Sequence, residues 1–207
     1  MSKAVRRNRL KMVVLGGCTA AIVVGGSLAY LTATDNVKNE FNVEAALTEK
    51  ITVIEPNWDP KNGVNIVPTQ TVPKDPQMKN ESDIPVYAIM QVSVPHAKVT
   101  TAAADGTPKA SVAQDLFTYT VNSGWSEVGT GALASDGKHM VHTYLLDSQL
   151  PAGATSKTVF DRVTLVNAID GELDGQKLAI DVNGYAIQAE GFSSASDAWN
   201  AYQKQNA

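Results

Sequence analysis

The first 35 residues of this chain constrain its fold most. They mark the boundary between a segment that is predicted to be cut off and the segment that must fold. Four basic residues lie between Arg6 and Lys11, and an uncharged, mostly apolar run then extends from Met12 to Ala33. No acidic residue occurs before Asp35. This succession of basic, apolar and polar regions is typical of a secretory signal peptide, which predicts a protein that folds outside the cytoplasm.

The small residues at Ser27-Leu28-Ala29 predict where a signal peptidase cuts the chain. We expect cleavage next to Ala29 or Tyr30, with a site after Ala33 as the second choice. Two alternatives stay open. The apolar run of 22 residues is long enough to span a bilayer as an uncleaved anchor, and Leu15-Gly16-Gly17-Cys18 loosely matches a lipoprotein lipidation site. We expect contact with the membrane only through the uncleaved signal.

Removal of the signal peptide leaves no cysteine, since Cys18 is the only one in the chain. Disulfide bonds and thiol catalysis are therefore excluded in the mature protein, which must depend on its hydrophobic core. The remaining residues, roughly 175, are enough for one such domain. The same removal takes away five basic residues and leaves 12 Lys and Arg against 21 Asp and Glu, a formal charge of −9. That charge argues against nucleic acid and anionic lipid as partners.

Most of the mature sequence consists of short segments rich in β-branched and aromatic residues. In the clearest segment, Val86 to Val94, apolar and polar side chains alternate, and Met90, Val92 and Val94 are predicted to point inward. The other predicted strands are Ala45–Ile54, Val64–Val67, Leu116–Val121, Met140–Leu146, Val159–Val166 and Leu178–Ala189. Short strands without helical periodicity between them predict an all-β fold, an antiparallel jelly-roll-type β-sandwich.

Two further segments complete the predicted organisation. Lys98 to Val112 is rich in Ala, Thr, Gly and Pro and is predicted to be a long exposed loop. Ser194 is a predicted helix cap with Asp197 three residues on and Trp199 on the apolar face, so we expect a short C-terminal helix. The expected units are a signal peptide at 1–29, an N-terminal segment at 30–44, the β-sandwich at 45–192, and the helix with its tail at 193–207.

Few residues in this sequence suggest catalysis. His139 and His142 invite a metal-site interpretation, but side chains three residues apart on a strand point to opposite faces. We therefore expect both to be surface or strand-edge histidines. The sequence contains neither a His-Glu-x-x-His motif nor a Gly-x-Ser-x-Gly nucleophile elbow. We expect no catalytic residue, no metal ligand and no cofactor, and a scattered acidic surface that includes Asp75, Asp83, Asp161 and Glu190.

Several segments of the chain match a known group of exported proteins. These segments are Gly25–Thr32, Thr34–Val43, Ile54–Asp59, Val72–Asn80, Val86–Val94 and Tyr185–Phe192. They resemble the TasA- and camelysin-like proteins of Gram-positive bacteria, whose signal peptides are processed by a dedicated SipW-type signal peptidase. The resemblance covers most of the chain, and the Pro73-Lys74-Asp75-Pro76 segment is among its strongest parts. One departure is Glu44, where many members carry Gly.

This resemblance implies a secreted structural subunit of extracellular matrix or surface fibres on a Gram-positive-type bacterium. The implied partners are other copies of the chain in a homopolymer, the SipW-type signal peptidase and an accessory anchor protein. Assembly would follow strand donation, in which the N-terminal segment of one subunit completes a sheet of the next. Thr34 to Val43 is the candidate donor, with Val37, Phe41 and Val43 as its anchors. Pairing of this segment within its own sheet and a disordered start are the alternatives.

Two other functions are compatible with the same sequence. Camelysin-like members are classed as surface metalloproteases, although the sequence has no recognisable zinc triad. A monomeric cell-surface binding module is the third possibility. Metal content and proteolysis would separate the enzyme from the others, and concentration-dependent polymerisation would separate a fibre subunit from a monomeric module.

Overall fold

The computed structural model describes residues 32–36, 50–169 and 171–206, and of residues 32–36 it describes the backbone. The predicted signal peptide with Ala29 and Tyr30, and the predicted anchors Val37, Phe41 and Val43, lie outside the described residues. The described residues form twelve strands, one 3-10 helix (Pro60–Gly63) and one α-helix: β1 Thr32–Asn36, β2 Ile51–Ile54, β3 Thr71–Pro73, β4 Gln77–Asn80, β5 Val86–Val99, β6 Val112–Asp115, β7 Phe117–Thr118, β8 Trp125–Glu127, β9 Ala132–Leu133, β10 His139–Leu146, β11 Arg162–Leu165, β12 Asp181–Gln188 and α1 Ala195–Gln205.

Strand β5 lies at the centre of a large antiparallel sheet with the strand order β1-β12-β5-β10-β8. Strand β6 also pairs with β5, and β9 pairs with β10. On β5 the side chains of Met90, Val92 and Val94 are fully buried, whereas Gln91 and Ser93 between them are half-buried. The alternation predicted from the sequence is therefore confirmed, and it turns one face of β5 toward the main core.

Two smaller sheets complete the β structure of the described residues, one with the order β3-β11-β7 and one made of β2 and β4. A single cluster of buried apolar side chains joins all three sheets, with contributions from Val53, Val72, Met78, Val92 and Val163. The prediction of a mostly β protein with antiparallel sheets is confirmed.

Some predicted strands are shorter than expected and one is wrong. Residues 64–67 follow the 3-10 helix as two bends and two irregular residues, and Val64 and Val67 are exposed. The physical reason is Asn65, whose φ of 55° lies in the left-handed region that a strand does not use. The predicted segments at 116–121, 159–166 and 178–189 contain the shorter strands β7, β11 and β12. Of the predicted strand at 45–54, the described part forms β2.

The predicted loop from Lys98 to Val112 is also partly strand. Strand β5 runs on to Val99, and β6 begins at Val112 and returns antiparallel along its last four residues, with Val99 opposite Val112 and His96 opposite Asp115. The connection between the two strands is therefore residues 100–111. Because β6 pairs with β5 beyond the residues that pair with β10, this excursion extends the large sheet.

The C-terminal helix forms as predicted. The side-chain oxygen of Ser194 accepts a hydrogen bond from the backbone N–H of Asp197 at the start of α1, which is an N-cap. Trp199 is buried against the face of the large sheet opposite the main core, together with Ile89 and Ile187. Tyr185 contacts Trp199 edge-on with ring centroids 5.2 Å apart. Among the described residues, no helix has the length and apolar character needed to cross a membrane.

Candidate functional site

The N-terminal strand β1 lies at one edge of the large sheet, antiparallel to β12. Its five residues pair in register from Thr32 opposite Ile187 to Asn36 opposite Asn183. Because β12 pairs with β5 on its other side, β1 provides hydrogen-bond partners for the remaining backbone edge of β12. Of the alternatives for the start of the chain, the structure shows residues 32–36 paired within the chain's own sheet.

The position of β1 gives the predicted cleavage sites different consequences. Ala29 and Tyr30 precede the strand, so a cut at either residue leaves all five residues of β1 in the mature chain. A cut after Ala33 removes the first two residues of the strand. The exact site of processing therefore determines how much of the β1–β12 ladder can form.

A second feature is a chain of hydrogen bonds between two histidines and two carboxylates. His96 on β5 contacts Asp115 on β6 through Nδ1 and Oδ1, 2.8 Å apart. The other oxygen of Asp115 lies 2.8 Å from Nε2 of His142 on β10, and Nδ1 of His142 lies 2.6 Å from Glu127 on β8. We call these four side chains the histidine–carboxylate chain. They join four strands of the large sheet.

The geometry favours the charged form of His142. A neutral imidazole has one N–H and cannot donate to two ionised carboxylates at once, whereas the doubly protonated ring can. Burial acts in the opposite direction and lowers the pKa of His142, because the side chain is only 14% exposed. The hydrogen bonds and negative charges of Glu127 and Asp115 outweigh burial, and the net pKa of His142 is raised.

A buried tyrosine, Tyr144, and a half-buried tyrosine, Tyr119, flank this imidazole. The hydroxyl oxygens of Tyr119 and Tyr144 are 2.9 Å apart, and each ring centroid lies 6.4 Å from that of His142. Burial raises the pKa of Tyr144 to about 12, and burial is also the main reason why the pKa of Tyr119 is raised. Both phenols are therefore neutral near pH 7 and add hydrogen bonding without charge.

The predicted divergence of His139 and His142 is confirmed, since they lie on strand β10 and His139 contacts Asp136 in the preceding turn. The sequence predicts a surface or strand-edge position for both. His142 is half-buried, and its side chain lies on the same face of β10 as Tyr144. The partners of His142 lie 15 and 27 residues away. The alternation of side chains along β10 could have predicted that His142 and Tyr144 lie on the same face of the strand.

Both ring nitrogens of His142 are engaged by carboxylates, so the ring cannot ligate a metal ion without breaking one of these contacts. Within the described residues, no group of three or more His, Cys, Asp or Glu side chains is arranged to hold a metal ion. The arrangement instead joins neighbouring strands through charge-assisted hydrogen bonds, which are stronger than neutral ones.

A third feature brings together two segments that carried the sequence resemblance. Lys74 Nζ lies 2.8 and 3.0 Å from the two carboxylate oxygens of Glu55 and 5.2 Å from the ring centroid of Trp58. Asn57 donates its backbone and side-chain N–H groups to Asp75. The segment 55–58 is therefore fixed to the segment 73–76. Asp75 is buried, so its assignment to a scattered acidic surface is wrong.

The Glu55–Lys74 pair also lines a cavity of about 330 Å³ at the border of the main core. Trp58 and the core side chains Val72 and Val163 form part of its wall. The side chains of Lys74 and Glu55 are only 9% and 8% exposed, so the ion pair is largely shielded from solvent. Sequence reasoning missed this pair because its members are 19 residues apart and no local pattern links them.

Comparisons of the chain with protein-family models, with curated proteins and with solved structures found no match.

Proposed function

We propose that this protein is a secreted structural subunit of extracellular matrix or surface fibres, with a jelly-roll-type β-sandwich that polymerises by strand exchange. The observation that carries the proposal is the place of β1, a five-residue strand at the edge of the large sheet with β12 as its neighbour. Without β1, the backbone N–H and C=O groups along this edge of β12 would be open to a strand from another copy.

The exchange needs no new type of contact. A β1 strand from a second copy can make the same five-residue antiparallel ladder with Asn183 to Ile187 that the chain's own β1 makes. The edge it would occupy is well supported, since Ala186 and Ile187 are fully buried. The sequence directly after β1 carries the predicted anchors Val37, Phe41 and Val43, which would extend the donated segment. Main-chain hydrogen bonds would provide the affinity of the exchanged strand, and every second side chain along it would provide the specificity.

The proposal includes the path that the chain takes to the fibre. A SipW-type peptidase removes the signal peptide, which frees the N-terminus, and an accessory protein anchors the fibre to the surface of a Gram-positive-type bacterium. The formal charge of −9 predicted for the mature chain suits a soluble extracellular subunit. The proposal assigns no catalytic residue.

A monomeric surface-binding module is the second candidate, and one observation favours it. In the structure β1 already completes the edge of its own sheet, so a single copy has no need of a donor. The two candidates therefore differ in a single property, which is whether β1 pairs with β12 of the same chain or of another chain in the functional state.

A pair of cysteines can decide between them, because the only native cysteine, Cys18, lies in the predicted signal peptide. Ala33 lies directly opposite Ala186 in the β1–β12 ladder. We would introduce Ala33→Cys and Ala186→Cys together, purify the secreted protein under reducing conditions, let it polymerise, oxidise it and separate it on a non-reducing denaturing gel. Ladders of covalent multimers are expected for exchanged strands.

Cross-linked monomers alone would refute strand exchange. The Ala33→Cys variant by itself is the matched control, because it can form dimers but no ladder. Oxidation of the double variant before polymerisation provides a second readout. It locks β1 within its own chain, so electron microscopy should then show no fibres, and addition of a reductant should restore them.

A further inference from the structure

The histidine–carboxylate chain connects two short strands of the large sheet, β6 and β8, to the longer strands β5 and β10. Strand β8 has three residues, β6 has four, and each pairs with one neighbour through a short ladder. Glu127 lies on β8 and Asp115 on β6, and both hold His142 on β10. These side-chain contacts therefore add to the short backbone ladders of β6 and β8.

We propose that the histidine–carboxylate chain is a pH-sensitive clasp, closed while His142 is doubly protonated and released when His142 loses its second proton. In the closed state both ring nitrogens donate, one to each carboxylate, and β6 and β8 are held to β10. In the neutral state one nitrogen presents a lone pair to an ionised carboxylate, so one of the two contacts becomes repulsive. Release therefore affects β6 or β8 and leaves the β5–β12 side of the sheet intact.

The groups that face His142 come from every strand around it. Asp115 on β6 and Glu127 on β8 contact it directly, and His96 on β5 contacts Asp115 from the other side. Tyr144 on the same strand and Tyr119 flank the ring without charge near pH 7. Two carboxylates therefore surround this imidazole, and the balance of charge favours its protonated form.

The sign of the pH dependence follows from this balance. The pKa of His142 is raised in the folded protein, since the two carboxylates outweigh the lowering effect of burial. The stabilisation is therefore fully present below the unfolded pKa of about 6.5 and is lost as the pH rises through the folded pKa. The equilibrium for opening changes tenfold for each unit by which the folded pKa lies above the unfolded one.

The experiment is a pair of NMR measurements on the secreted protein between about pH 5.5 and pH 9. The first follows the imidazole resonances of the three histidines, and the His142 midpoint is expected above 6.5. The second follows amide hydrogen exchange, corrected for its intrinsic pH dependence. The amides of β6 or β8 are expected to lose protection across the His142 midpoint, tenfold for each unit by which that midpoint exceeds 6.5, while those of β12 keep theirs.

Two variants give the measurement its controls. His142→Gln is expected to abolish the pH-dependent step in β6 and β8 protection. His139→Gln is the matched control, because His139 lies on the same strand but contacts Asp136, so the step should persist. If His142→Gln does not fold, the two measurements on the wild-type protein still test the proposal. A His142 midpoint at or below 6.5, or protection of β6 and β8 that does not change across the midpoint, would overturn the proposal.

Discussion

The buried pair of Glu55 and Lys74 supports a quantitative prediction about stability. We expect Glu55→Met to leave the ammonium group of Lys74 without its paired carboxylate, and Lys74→Met to leave the carboxylate of Glu55 without its paired ammonium group. The two side chains are 8% and 9% exposed, and Lys74 contacts both oxygens of the carboxylate at 2.8 and 3.0 Å. Breaking a buried ion pair by removing one partner costs about 3–5 kcal/mol.

The double variant provides the sharper expectation. With both residues replaced by methionine, no unpaired charge remains, and apolar side chains can fill the space beside Trp58. Such paired replacements are often neutral or stabilising. We therefore expect Glu55→Met with Lys74→Met to be more stable than either single variant.

Urea unfolding followed by circular dichroism measures these differences, since Trp58 fluorescence would itself change with Lys74. With a slope of about 2 kcal/mol per molar urea, each single variant should lower the midpoint by roughly 1.5–2.5 M. Lys50→Met is the matched control, because Lys50 pairs with Asp83 at 3.2 Å but the two side chains are 46% and 93% exposed. An exposed pair contributes about 0–1 kcal/mol. Single variants no less stable than this control, or a double variant less stable than both singles, would refute the argument.

Three further substitutions test individual contacts by the same unfolding assay. Asn80→Ala should cost about 3 kcal/mol, because this buried amide donates to three backbone carbonyls that would lose a partner, and a loss below about 1 kcal/mol would contradict this. Gly131→Ala should destabilise more than Gly129→Ala: both have positive φ, but an added Cβ meets side-chain atoms at 3.0–3.2 Å at Gly131 and nothing within 4 Å at Gly129. Ser194→Ala should cost about 1 kcal/mol through the lost helix cap, whereas Ser193→Ala next to it should cost little.

The parts of this fold that the sequence predicts are those determined by local pattern. The alternation along β5 and the cap at Ser194 each depend on residues within a few positions of one another, and both are confirmed. The predicted strand at 64–67 is wrong because a left-handed residue, Asn65, overrides the apolar composition. Amino-acid composition cannot show that Asn65 is left-handed, since its backbone conformation depends on how the preceding 3-10 helix ends.

The candidate sites were harder to predict because their members are brought together by strand order. His142 and Asp115 are 27 residues apart, and they meet because β6 and β10 both pair with β5. The Glu55–Lys74 pair likewise joins two segments that lie 19 residues apart. The sequence supplied the residue types, and the register of the strands determined which of them became partners.

The two outer strands of the path β1-β12-β5-β10-β8 are attached in different ways, and this difference leads to a last prediction. Glu127 ties strand β8 to His142, whereas the attachment of β1 would depend on where the predicted signal peptide is cut. A chain that starts at Tyr30 keeps all five β1 pairs, and a chain that starts at Thr34 keeps three. At about 0.5–1.5 kcal/mol for each hydrogen bond, the shorter start weakens the ladder by roughly 1–3 kcal/mol. We therefore expect mass spectrometry of the secreted protein to give an N-terminus at or before residue 31. We also expect that a variant made to start at Thr34 forms fibres more slowly, and equal rates would mean that β1 is not the strand exchanged.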